Sequence, residues 1–146
     1  MSSIEARVKR RCETEHAETI EIMNRCADSI TLGWQTDADG VLFTTKKEKI
    51  TQQLPIVFDR AGIHTQLRTM LVDLVDTLGE PLSVTPVAAP PYVVVGSTGP
   101  IIRAALSIGR LVVTFQLFTI VKHTTHVRYK RLPACNITVK VHAKTE

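Results

Sequence analysis

Leu67-Arg68-Thr69-Met70-Leu71-Val72-Asp73-Leu74-Val75-Asp76-Thr77-Leu78-Gly79-Glu80-Pro81 is the stretch that decides the fold. Up to Leu78 the apolar side chains return every three or four residues, at Leu67, Met70, Leu71, Leu74, Val75 and Leu78. That is the period of a helix with one buried face, and Arg68, Asp73 and Asp76 fall on the other. Gly79 then offers a helix stop and Pro81 bars continuation.

Working upstream, the helical period persists. Ser2 or Ser3 can cap a first helix, in which Ile4, Val8 and Cys12, then Ile20, Met23, Ala27 and Ile30, keep the spacing. The polar stretch Glu13 to Glu18 reads as solvated or lightly packed helix, and Gly33 as its stop, with Trp34 packing just past the end. Asp37-Ala38-Asp39-Gly40 is a turn signal. Thr45-Lys46-Lys47-Glu48 has the spacing of a capping box for a second helix, with Ile50, Leu54, Val57 and Phe58 as its apolar face. Pro55 should kink or divide it, because it lacks a backbone donor, and Gly62 ends it. The third helix runs from His64 to Leu78.

Downstream of Pro81 the pattern becomes one of short β-branched runs broken by Gly and Pro. Leu82 to Thr85 reads as a short edge strand, and Pro86, Pro90 and Pro91 as a stiff, extended loop. Tyr92 to Val95 is a strand, Gly96-Ser97-Thr98-Gly99 a turn, and Ile101 to Ile108 a strand with Ile102, Ala104, Leu106 and Ile108 on one face. Gly109-Arg110 marks a tight turn into Leu111 to Val121. Lys122 to Thr125 is a polar loop, and Val127 to Leu132 a polar strand that Pro133 breaks. Ile137, Val139 and Val141 alternate with Thr138 and Lys140, as in a half-buried last strand.

Helices first and strands second define a single α+β domain over residues 1–146. About three helices within 3–79 pack on a mostly antiparallel sheet of four to six strands within 81–143. In Leu111 to Val121, strict alternation places Leu111, Val113, Phe115, Leu117 and Val121 on one face. Val112, Phe118 and Ile120 fall on the other, with Thr114 and Gln116. Two apolar faces make this a central strand whose second face needs cover, from more helix, a curled sheet or another subunit, and a homodimer is the hypothesis taken up.

The chain is long enough to bury a sizeable core. Its formal net charge of +4 is a mild basic excess that raises encounter rates with anions without defining a partner. Three cysteines without close pairs (Cys12, Cys26, Cys135) are no disulfide framework and fit a reducing cytoplasm. The longest strongly apolar stretch, Leu111 to Val121, falls short of the ~20 residues that span a bilayer, and Met1 to Arg11 lacks an apolar signal core. A cytoplasmic protein with no membrane partner is expected.

No motif carries chemistry firmly. Gly96-Ser97-Thr98-Gly99 lacks a following lysine and precedes a strand, so it reads as a hairpin turn rather than a phosphate loop. Ser97 has no nucleophile-elbow context. His123 and His126, with Cys135 and His142, lack the two close ligand pairs of a structural zinc site. A thiol–imidazole pair of Cys135 with His123 or His126 would need a contact across a hairpin. No catalytic residue, cofactor or metal is therefore assigned. Two basic groups stand out: Arg7, Lys9, Arg10 and Arg11 on the first helix, and Lys122, Arg128, Lys130 and Arg131 on the late hairpin. Together they could follow a phosphate backbone, whereas singly they suit a solvated edge strand.

The runs Ala88-Ala89-Pro90-Pro91-Tyr92-Val93-Val94-Val95, Gly99-Pro100-Ile101-Ile102-Arg103 and Gly109-Arg110-Leu111-Val112-Val113, with Glu15-His16-Ala17-Glu18-Thr19, carry a resemblance. Over about half its length the chain resembles small uncharacterised proteins of halophilic archaea. The resemblance implies a cytoplasmic single-domain protein and transfers no catalytic residue. The chain departs from that pattern in being basic, where such proteins are strongly acidic.

The expected function is that of a non-enzymatic interaction or regulatory module that self-associates. The alternatives are a nucleic-acid-binding protein using the two basic groups, and a small-molecule or enzymatic domain with a pocket between helices and sheet. Arg103, Arg110, Arg128 and Lys130 are the candidate anion or partner contacts, as cations on or beside strands, with Tyr92 as a further contact residue.

Overall fold

The computed structural model describes residues 3–82 and 84–143. Helix α1 (Ile4–Glu15) is capped by Ser3, whose hydroxyl accepts the Ala6 N–H at 3.0 Å; Ser2 lies outside the described residues. The helix does not run on to Gly33. His16 leaves the helical region (φ −116°, ψ 18°), and α2 (Ala17–Ile30) starts afresh behind it. The polar stretch is thus a joint, held where His16 Nε2 meets the Asp73 carboxylate at 2.6 Å.

Next comes a hairpin that helical periodicity could not announce, β1 (Gln35–Thr36) and β2 (Leu42–Thr44). Asp37 builds its turn: Oδ1 accepts the N–H groups of Asp39 and Val41 at 2.8 and 2.9 Å. The second helix is divided into α3 (Glu48–Thr51) and α4 (Gln53–Arg60), with Pro55 in the first turn of α4, where a missing N–H costs no helical bond. No side chain caps α3; Thr44 rather than Thr45 makes the local bond, accepting the Lys46 N–H. Helix α5 (Ile63–Thr77) buries Leu67, Met70, Leu71, Leu74 and Val75 completely.

Strands β3 (Val93–Val95), β4 (Pro100–Leu106), β5 (Gly109–Lys122) and β6 (Val127–Ala143) complete one six-stranded antiparallel sheet in the order β1-β2-β6-β5-β4-β3. The architecture is α+β, with the helices ahead of most of the sheet. Leu82, Val84 and Thr85 join no strand, and Ser83 lies outside the described residues. The tight turn between β4 and β5 is Ser107-Ile108, which leaves Ile108 exposed instead of on the buried face. Gly99 and Gly109 occupy positive φ (142° and 152°), and a Cβ there would lie 2.1 Å from Phe115 O and 2.0 Å from His142 O. Only glycine allows both close backbone crossings.

Two corrections to the sequence reading come from one irregularity. Pro133 does not break the last strand, and β6 runs through it. There Phe118 pairs with Arg131 but Gln116 with Asn136, so β6 carries extra residues opposite Leu117, and β2 reaches only Tyr129 and Lys130. Pro133 thus sits at an irregular, one-sided edge, where its missing N–H breaks no ladder. The same bulge turns Phe118 inward, so Leu117 and Phe118 are both fully buried. The second face of β5 therefore carries Val112, Thr114, Gln116, Thr119 and Val121, none of them buried. It is not the apolar face from which a covering subunit was expected.

The helices cover one face only. Ile102, Ala104 and Leu106 of β4, Leu111, Val113 and Phe115 of β5, and Ile137 and Val139 of β6 share one core cluster with Val8, Cys12, Met23, Leu54, Phe58 and the α5 stripe. That layer is filled by side chains with almost no exposure, so the space between helices and sheet is packed core.

Candidate anion-binding face

The side chains alternating with the core residues stand on the uncovered face of the sheet. Cross-strand register fixes their neighbours. Arg103 pairs with Val112, and Val112 with Lys140; Ala105 pairs with Arg110, and Arg110 with His142. Strands ~4.8 Å apart therefore gather Arg103, Arg110, Lys140 and His142 at one end of the face. Toward the other end, Thr119 pairs with Lys130 and Val121 with Arg128. On β5 the partners of Lys140 and Lys130, Val112 and Thr119, are seven residues apart, about 23 Å at strand rise. Thr114, Gln116, Asn136 and Thr138 lie between them. All four cations singled out from sequence, Arg103, Arg110, Arg128 and Lys130, thus share a face. Lys140 joins them, a residue that sequence reading treated only as part of an alternation.

The signal for that face was present in the composition. Residues 81–143 contain no Asp or Glu but seven Lys and Arg. Residues 1–80 hold 13 Asp and Glu against ten Lys and Arg. A net charge of +4 conceals a net −3 over residues 1–80, Asp37 and Asp39 of the β1–β2 turn included, and a net +7 over residues 81–143. A charge spread this unevenly produces a field of one sign over the sheet.

The cations are not equally free. Lys130 donates to Asp37 Oδ2 at 2.6 Å and pins the β1–β2 turn to β6. That bond, with those from the Val41 and Asp39 N–H groups, holds the Asp37 carboxyl down at about 2. The Arg128 guanidinium lies 4.2 Å above the Phe43 ring, and its Nε donates to His126 Nε2 at 3.2 Å. Phe43 is buried beneath it, outside the main core cluster. Among the described residues, no ion pair engages Arg103, Arg110 or Lys140. Those three are the available charges.

Other candidates fall elsewhere. Arg131 points into the interior, 8 % exposed. It donates to Asp28 Oδ1, to the carbonyls of Asn24, Leu117 and Leu132, and to Asn24 Oδ1, tying α2 to the bulge. Tyr92 gives its carbonyl to the Arg103 N–H at 2.9 Å, while its side chain packs against the core. The basic residues of α1 ride on the helical layer, and Arg11 is spoken for by Asp73 through two 3.0 Å bonds. The two basic groups therefore do not merge into one surface.

His123 and His126 stack on each other at the β5–β6 loop, centroids 5.0 Å apart. Cys135 lies in the bulge and His142 opposite Arg110, so neither joins that pair. Among the described residues, no three His, Cys, Asp or Glu side chains are grouped to hold a metal. Burial pushes the thiols up, Cys12 to about 12 and Cys135 to about 11, and raises Cys26 as well. They are protonated near neutrality and are poor nucleophiles there. Among the described residues, no helix is long and apolar enough to cross a membrane.

Fold and face together define an α+β module whose sheet is covered by helices on one face and carries basic residues on the other. Residues 6–142 match a family described as a domain of unknown function, DUF7988, and the chain belongs to that family. No curated protein and no solved structure matches the chain.

Proposed function

We propose that this protein is a non-enzymatic interaction module whose open sheet face docks the phosphate backbone of a nucleic acid. One observation carries the reading: among the described residues, Arg103, Arg110 and Lys140 have no ion-pair partner, on a face whose strands bear no carboxylate. The hydroxyl and amide side chains of Thr114, Thr138, Gln116 and Asn136 between the cationic ends suit phosphate oxygens. The Phe43 ring on this face is capped by Arg128, so base stacking on it is not part of the reading. The cations of α1 are left out of it, because they belong to the other layer.

A cytoplasmic setting and a source among halophilic archaea belong to the same proposal.

The test is a titration of mixed-sequence duplex against salt. With three to four phosphates neutralised, log K should fall against log salt with a slope of about −3. R103E/R110E should abolish binding at low salt, with the circular dichroism spectrum unchanged. A wild-type protein that fails to bind at 50 mM salt eliminates nucleic acid as the partner. A slope near zero does the same for the electrostatic mechanism.

A further inference from the structure

Among the described residues, the second half of β6 has a strand partner on one side only. β5 pairs with it from Asn136 to Ala143, whereas β2 ends at Tyr129 and Lys130. The Ser107-Ile108 turn makes Leu106 and Gly109 the closing pair of the β4–β5 hairpin. By alternation, Leu111, Val113 and Phe115 then bond to β4, and Arg110, Val112, Thr114 and Gln116 bond to β6. On β6 this engages Asn136, Thr138, Lys140 and His142 with β5 and turns the N–H and C=O groups of Ile137, Val139 and Val141 outward. Such an edge is a template for another strand. Beside it runs an open groove lined by Glu5, Ala6 and Lys9 of α1 and by Asn136 to Val139.

We propose that this edge is a homodimer interface, with a second copy of the chain added antiparallel about a two-fold axis at Thr138. The sequence of the edge is complementary to itself about that point. Thr138 meets its own copy, Lys140 faces Asn136 of the partner subunit and His142 faces the partner's Ala134, so no two cations are opposed on the outer face. On the covered face Val139 faces the partner's Ile137 and Val141 faces the partner's Cys135, extending the apolar row of the core. The axis also brings the two α1 helices side by side and antiparallel. Glu5 of each then lies against Lys9 of the other, which pairs the two charges that line the groove. The product is a continuous twelve-stranded sheet with helices on one face and the basic surface doubled on the other. This interface is independent of the nucleic-acid reading, and lies on an edge rather than on the face where the covering subunit was expected.

Sedimentation velocity and amide hydrogen exchange of the full chain test it together. The expected result is a reversible dimer at micromolar concentration, with the Ile137, Val139 and Val141 amides protected more strongly as concentration rises. T138K puts two ammonium groups across the axis at an exposed position and should raise the dimer Kd at least ~tenfold, with the thermal transition of the monomer retained. E5K should weaken the dimer, and E5K/K9E should restore it, a rescue that a damaged helix would not give. A monomer mass at every soluble concentration overturns the proposal. So does a dimer that survives T138K with those three amides unprotected. Neither result bears on the salt titration, so each proposal can fail alone.

Discussion

Arg131 shows how one buried charge can organise a junction. Its guanidinium satisfies three backbone carbonyls and the Asn24 side chain, whereas its one carboxylate partner, Asp28, is 69 % exposed. The carbonyl of Leu117 is left in the interior without that donor when Arg131 is removed. R131L should therefore lose about 3 kcal/mol in urea unfolding, while D28A should lose less than about 1 kcal/mol. Equal losses for the two variants would refute the assignment of Arg131 to the carbonyls. Asp37 works at the same scale through its charge. Its folded pKa of about 2 lies below the ordinary 3.8, so the carboxylate favours the folded chain fully above the ordinary value. The contribution is lost as pH falls through about 2. The stability difference between wild type and D37N should be constant near neutrality and shrink between pH 4 and pH 2, tracking the unfolded and folded values. A difference that persists unchanged at pH 2 would assign the effect to shape rather than charge.

At the scale of elements, β5 sets the geometry that matters. The bulge at Leu117 spends an extra stretch of β6 to seat both Leu117 and Phe118 in the core. Phe118 packs against Trp34, in the loop between α2 and β1, with ring centroids 5.6 Å apart. F118A should destabilise the protein by about 3–5 kcal/mol, and T119A, one residue on and facing outward, by less than about 0.5 kcal/mol. The two values would come together if Phe118 faced out, as strict alternation has it. Because the bulge re-aims the residues beyond it, Thr119 and Val121 continue the outer face, and their partners Lys130 and Arg128 come onto it with them. The same irregularity carries Pro133 and frees the edge of β6 beyond β2.

For the whole molecule the governing fact is separation. No carboxylate stands in residues 81–143, which carry seven Lys and Arg, so the chain's net positive charge lies on its C-terminal strands. Such a molecule is oriented by an anionic partner before contact is made, and the effect falls with salt. The salt slope of nucleic-acid binding belongs to this scale, as does the doubling of the basic surface on dimerisation.

The order of helix then sheet was written in the chain, because burial of one face imposes a period of 3.6 or 2 on any element long enough to repeat it. α5 with its Leu67-to-Leu74 stripe and β4 with Ile102, Ala104 and Leu106 were legible on that ground, and Pro55 announced a division of the second helix that falls three residues earlier, at Gln52. β1 and β2 were not, since strands of two and three residues are shorter than the repeat that would reveal them. The candidate cations were legible as types, and their common face was not. Parity along β5 and β6 depends on the bulge, and the bulge exists because Phe118 and Arg131 find their partners in α2 and the loop beyond it. Which cations stay free, which are consumed by Asp37 or by buried carbonyls, and which edge lacks a neighbour are consequences of contacts distant in sequence. Local periodicity determined the elements of this protein; only the closing of the sheet against the helices decided what they present to a partner.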